Sequence, residues 1–179
     1  MLGLGRIGRR HPLKTLTLSQ PWASLVASGA KSYETRSWAT PYRGPLAIHA
    51  GKGLAGMTEA AYRDLCRQEP FRAALKASGF LAPGDLPRGC VIATCRLLEC
   101  VPITAPELPP AGRRHTVTQG GDPTTEVAFG HYTPGRWAWL LGEVEHLAVP
   151  VPARGSLGLW EWRPPIGEEA GASPSRVDE

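Results

Sequence analysis

A chain of 179 residues, 42% hydrophobic and 20% charged, fits one domain of ordinary size with enough apolar material for a real core. It has no apolar run of the ~18 residues that a membrane-spanning helix needs, and the opening MLGLGRIGRRHP carries its cations after its apolar part, the reverse of a secretion signal. The net charge of +4 is unevenly spread: residues 1–52 hold eight Lys or Arg against one acid, Glu34, a net +7, so residues 53–179 sum to −3.

Gly3, Gly5 and Gly8 spell G-x-G-x-x-G. That dinucleotide pattern needs a strand before it and a helix after it. Here two residues precede it and Pro12 breaks the stretch after it, so residues 1–12 read as a flexible basic arm. From Thr15 to Ser19, hydroxyl and apolar residues alternate with the period of a half-buried strand. Lys14 shares the leucine face and is expected at the strand's open end, with its amine in water. Ser19 is placed to cap a helix that has Pro21 in its first turn, Trp22, Leu25 and Val26 on one face, and Gly29 as its stop. Residues Lys31 to Ser37 alternate again, with Lys31, Tyr33 and Thr35 on one face and Ser32, Glu34 and Arg36 on the other. Pro41 and Gly44 bracket a loop, and Leu46 to Ala50 is a short apolar strand carrying His49.

Residues 54–79 read as helical with a break near Pro70, a cap at Thr58 and a stop at Gly79. Gly89 to Ile103 reads as one long strand buried on both faces. Residues 104–135 have poor periodicity and many Pro and Gly, the mark of a long functional or mobile loop. It carries Arg113, Arg114, His115, Gln119 and His131. Closure over a bound strand and a tolerated insertion both stay open as readings. Arg136 to Pro150 begins as a strand that bends at Gly142, and Leu157 to Trp162 is the last strand. From residue 165 the Pro-, Gly- and Glu-rich composition predicts a disordered tail. Cys66, Cys90, Cys95 and Cys100 show no C-x-x-C spacing and read as reduced thiols of a cytoplasmic protein, with no metal and no cofactor.

The +7 of residues 1–52 lies among Trp22, Tyr33, Trp38 and Tyr42. Cations interleaved with aromatics suit a phosphate backbone and exposed bases. Aromatics in the core with a solvated rim of cations would give the same pattern. Trp22, on the apolar helix face, is assigned to the core, while for Trp38 and Tyr42, in a loop beside Pro41, a surface role and a core role both stay open. Sixteen Arg against four Lys favours bidentate phosphate contacts and is equally what a GC-rich genome yields.

The stretch SQPWASLVASGAKSYETRSW, followed by YRGPLAIHA, closely resembles the ASCH domain. The hallmark G-x-K-x-x-E-x-R is present as Gly29, Lys31, Glu34 and Arg36, and Arg154 to Trp160 carries a weaker late echo. The resemblance spans most of residues 13–162. It implies an α+β, PUA-like β-barrel of five to six strands with flanking helices, and a protein that binds RNA or modified bases. The expected organisation is therefore a 1–12 arm, a 13–164 domain and a 165–179 tail.

The expected function is binding of RNA or another single-stranded nucleic acid in a basic cleft at the G-x-K-x-x-E-x-R turn. The binding residues named by this reading are Lys14, Lys31, Arg36, Trp38, Tyr42, Arg43, His49 and Lys52. The resemblance also brings two reactions, metal-independent RNA cleavage and removal of the acyl group of N4-acetylcytidine, for which Lys31, Glu34 and Tyr42, with His49 for RNA cleavage, are the candidate catalytic residues. The deacylating relative has a Thr nucleophile where this chain has Glu34, and a carboxylate is a poor replacement for a hydroxyl. A third reading is a module that docks an acidic protein partner in transcription or RNA processing. If Lys31 and Glu34 form a structural ion pair instead, the turn is tied to the barrel and neither side chain meets a ligand.

Overall fold

The computed structural model describes residues 11–108 and 123–165. The expectations for residues 1–10, for Arg113, Arg114, His115 and Gln119, and for the tail beyond 165 lie outside them. Strand β1 (Leu13–Leu18) leads into helix α1 (Trp22–Ala27), then β2 (Tyr33–Arg36) and β3 (Gly44–Ala50). Helices α2 (Glu59–Arg67) and α3 (Phe71–Ala77) follow, then β4 (Cys90–Pro102), α4 (Pro123–Ala128), β5 (Trp137–Pro152) and β6 (Leu159–Trp162).

The six strands form one mixed sheet in the order β2-β5-β4-β3-β1-β6. Only β1 and β3 run parallel, with Thr17 beside His49 and Leu18 beside Ala50. Among the described residues no ladder joins β2 to β6, so the sheet curls as the barrel class requires without closing. The curl comes from bulges. The register of β4 against β5 steps between Thr94 and Arg96, where Arg96 faces Gly142. A Cβ at Gly142 would stand 2.6 Å from Leu98 Cδ1, so a larger residue there would have to displace the Leu98 side chain.

Inside the curl, Leu16, Leu18, Leu46, Ile48, Ile92 and Trp139 pack with Ala23 and Val26 of α1. A second cluster, with Tyr62, Phe71, Leu75 and Phe129, holds α2 and α3 against Leu25 of α1. Trp22 joins it, edge-on to Phe71. The helical periods of 54–79 are thus realised as two helices. Thr58 caps the first by accepting from Ala61 N–H at 3.2 Å, and Gly79 takes a positive φ of 87° where the second stops.

Two local expectations are corrected. Ser19 does not cap α1 with its side chain; the buried Gln20 takes that role. Its Oε1 accepts from Ser24 N–H at 3.1 Å, and its Nε2 donates to Pro87 O at 2.7 Å, tying the helix start to the lead-in of β4. Part of the 104–135 stretch is regular: residues 123–128 form α4, and Phe129 and Tyr132, in the irregular segment after it, are buried in the core. Residues 104–108, after β4 ends, are non-helical.

Candidate functional site

The hallmark residues form a buried cluster. Gly29, at φ 77°, ends α1 and turns the chain, and Lys31 N–H donates to Leu25 O at 3.0 Å. Lys31 is 1% exposed. Its Nζ donates to Tyr33 O and lies 3.8 Å from Glu126 Oε1. Glu126, on α4, also accepts from Ser32 N–H at 2.7 Å, Tyr33 N–H at 3.1 Å and Tyr132 O–H at 3.4 Å. A single carboxylate therefore clamps the start of β2, and the buried amine is its counter-charge.

The expected Lys31–Glu34 pair is replaced by Lys31–Glu126. Glu34 instead meets Arg36 at 3.4 Å. Burial raises the Glu34 pKa above the ordinary carboxylate value, while Lys31, Arg36 and Arg136 pull it back down. Lys31 offers no surface to a ligand in this conformation, and sequence reasoning missed Glu126 altogether.

The arginine–aromatic residues gather at one end of the sheet, where β2 and β4 finish and β3 and β5 begin. Trp38 and Tyr42 are half-buried against the core rather than free on the surface. Trp38 stands edge-on to Trp139 at 4.6 Å. Tyr42 O–H donates to Pro45 O. The cations here are already engaged. Arg36 pairs with Glu34 and lies 5.9 Å from the Trp38 ring. Arg43 donates to Thr40 O at 2.9 Å and Tyr42 O at 2.6 Å. Arg96 reaches Glu143 at 3.6 Å, and Arg136 donates to Thr35 O at 3.0 Å. Of the candidate catalytic residues, Lys31, Glu34 and Tyr42 line none of the clefts formed by the described residues.

The opposite end of the sheet carries an open cleft of about 910 Å3. It lies where the parallel strands β1 and β3 both end, between their last residues and the turn from β5 to β6. Three backbone bonds fix its base: Gly51 N–H to Leu18 O at 2.8 Å, Gly89 N–H to Ala50 O at 2.6 Å and Ala153 N–H to Gly89 O at 3.0 Å. Thr17 and His49 supply polar lining from the strands, and Ser19, Lys52, Arg154 and Ser156 from the loops. The Lys52 stem packs on Gly89, where an added Cβ would stand 2.7 Å from Lys52 Cε. Among the described residues, none pairs with or accepts from the exposed Lys52 or Arg154 side chains.

His49 forms part of the cleft wall but is 2% exposed. Its Nε2 lies 3.1 Å from Ala153 O, and its ring is edge-on to Trp160 at 5.7 Å. Trp160 Nε1 donates to Thr17 Oγ1 at 3.0 Å. Burial lowers the His49 pKa below its ordinary value, which the Ala153 contact only partly offsets, so the ring is neutral at neutral pH. Of the eight residues named as nucleic-acid contacts, only His49 and Lys52 line this cleft. Lys14 lies on β1 and pairs with Glu161 at 3.3 Å, its side chain 40% exposed. Arg154, Ser156 and Leu157 were missed, although their segment is the late echo that carried the resemblance. Among the described residues no three His, Cys, Asp or Glu side chains group as a metal site would need, and no helix is long and apolar enough to cross a membrane.

A six-stranded mixed sheet with flanking helices, and a cleft at the ends of the parallel pair, is an α+β fold consistent with the PUA-like class. The ASCH domain model matches residues 16–109, more than half of the chain, and the chain belongs to the ASCH domain family. The human and mouse proteins named activating signal cointegrator 1 are each 36% identical to it over 86 residues. That match takes in 48% of this chain and 14% of each relative, so the chain corresponds to a small part of those proteins.

Proposed function

We propose that this protein binds single-stranded nucleic acid, RNA by preference, in the cleft between the ends of β1 and β3 and the β5–β6 turn. The observation that carries the reading is the state of the cations. Lys52 and Arg154 stand exposed on the cleft with no described partner. Arg36, Arg43, Arg96 and Arg136 are each held by a carboxylate or carbonyl of the protein itself. A phosphate gains most from a cation that has no other acceptor, and releasing its counterions favours binding further.

Membership of a family associated with RNA supports the same reading. The cleft's volume admits a nucleotide or two, and a depth of this kind suits an unpaired base better than a stacked pair. Binding without catalysis is the favoured form, because Lys31 and Glu34 are buried away from the cleft and their amine and carboxylate are already partnered. The name of the curated relatives, a signal cointegrator, fits a nucleic-acid reader that works beside transcription proteins.

The test is titration of a short single-stranded RNA at two salt concentrations, with Lys52→Ala and Arg154→Ala beside the parent. The expected result is affinity that falls steeply with salt, and a log–log salt slope reduced by about one for each cation removed. Absence of binding at low salt, or a slope that neither substitution changes, counts against the proposal.

A further inference from the structure

Resting on the reading of the cleft as a nucleic-acid site, we propose that His49 Nδ1 is its base-reading atom, accepting a hydrogen bond from an N–H group on one unpaired nucleobase drawn in beneath the 153–158 turn. The tautomer follows from geometry. Nε2 faces the Ala153 carbonyl at 3.1 Å, and a carbonyl only accepts, so the ring proton sits on Nε2. Nδ1 then carries a lone pair. No described residue donates to it, although the residue is 2% exposed. A buried acceptor without a donor is costly, and binding sites are where such costs are kept.

The cover over Nδ1 is slight. A Cβ at Gly155 would stand 2.7 Å from Nδ1, 2.5 Å from Cε1 and 3.1 Å from Thr17 Oγ1. Gly155 therefore rests directly on the imidazole edge, beside a hydroxyl that already receives the Trp160 indole. Arg154, Gly155, Ser156 and Leu157 are all exposed. The turn is pinned on one side by Ala153 N–H to Gly89 O at 3.0 Å, and on the other Gly158 takes a positive φ of 68° before β6 begins. A base edge replaces Gly155 against the ring when this exposed turn lifts, with no core residue displaced.

The surrounding chemistry fits a base rather than a bare anion. Lys52 and Arg154 lie on the rim, where they meet the phosphates on either side of the inserted nucleotide. The floor presents a neutral imidazole acceptor and the Thr17 hydroxyl, which match the N–H and acceptor edge of a base. In a duplex the pairing edge is occupied by the opposite strand and a stacked pair does not enter the cleft, so the site selects unpaired bases. Burial also keeps the ring neutral, which preserves Nδ1 as an acceptor.

The experiment uses the full chain labelled with 15N in histidine and two pairs of oligonucleotides: oligouridine with oligo(3-methyluridine), and oligocytidine with oligo(N4,N4-dimethylcytidine). Each methylated partner keeps the phosphates and lacks the N–H donor. The expected result is that at least one parent moves the His49 Nδ1 resonance, that its methylated partner does not, and that the methylated partner binds about fivefold more weakly. His49→Phe should bind parent and methylated oligomers alike. Equal binding and equal shifts for parent and methylated oligomers would overturn the base-reading role and leave the cleft standing. So would a His49→Phe protein that still discriminates. Failure of all four oligomers to bind would overturn the cleft reading as well.

Discussion

The two ends of the sheet hold similar side chains in opposite states. At one end Arg36, Arg43, Arg96 and Arg136 surround Trp38, Tyr42 and Trp137, and every guanidinium has a protein acceptor. At the other, about 20 Å away along β3 at ~3.3 Å per residue, Lys52 and Arg154 border a cleft and have none among the described residues. Charge counted along a sequence is therefore different from charge available to a ligand. A guanidinium folded onto carbonyls orders a loop, as Arg43 orders the turn before β3. A free ammonium or guanidinium beside a concave surface recruits phosphate.

The largest expected effect lies on neither surface but in the buried Lys31–Glu126 cluster. Lys31→Met should destabilise the fold by about 3–5 kcal/mol, because Glu126 is left buried with its counter-charge gone. Adding Glu126→Gln should recover part of that loss, and adding Glu34→Gln should recover less. Thermal or denaturant unfolding of the single and double mutants checks this. A Lys31→Met protein with unchanged stability but lost RNA affinity would return Lys31 to the ligand site.

The next effect concerns the two ends themselves. Replacing both Lys52 and Arg154 by Ala should weaken RNA binding by about 1–3 kcal/mol while stability holds within about 0.5 kcal/mol. Arg43→Ala should do the reverse, lowering stability through its loop and leaving affinity nearly unchanged. Anisotropy titrations and melts on the same samples separate these outcomes. Loss of affinity in Arg43→Ala alone would invert the assignment of the two ends.

How much of this was legible depends on the range of each interaction. The helices of 54–79, with Thr58 and Gly79 as their bounds, come from local periodicity and capping, and the structure keeps them. The bend at Gly142 was readable because glycine inside an apolar strand has few other uses. Glu126 was not readable. It sits in a six-residue helix among proline and glycine, and its amide partners Ser32 and Tyr33 are 94 and 93 residues away. Lys31 was read as a cleft cation or as the partner of Glu34, because Glu34 is the one acid near it in sequence, whereas its buried partner Glu126 lies on a distant element. Arg154 joins Lys52 in one cleft through the pairing of β5 and β6 with the rest of the sheet, which no local pattern encodes.

A smaller effect is pH-dependent. The His49 pKa is lowered in the fold by burial, so its contribution to stability is fully present above the ordinary histidine value of 6.5. It is lost as pH falls through the lower folded value. His49→Phe should remove that part of the acid destabilisation, which melts across the range from neutral to mildly acidic would show. The smallest effect is expected from truncation. Removing residues 1–12 and 165–179 should leave a cooperative melt, since the packed core runs from Leu13 to Trp162. A truncated chain without a cooperative transition would show that the ends contribute to the core.

The most direct measurement is amide chemical-shift mapping of the 15N-labelled chain during titration with a short single-stranded RNA. The largest changes should fall on Gly51, Lys52, Gly89 and residues 153–157, with Trp38, Tyr42 and Arg43 nearly still. Changes concentrated on Trp38, Tyr42 and Arg43, with the cleft unmoved, would contradict the assignment of the binding site to the cleft.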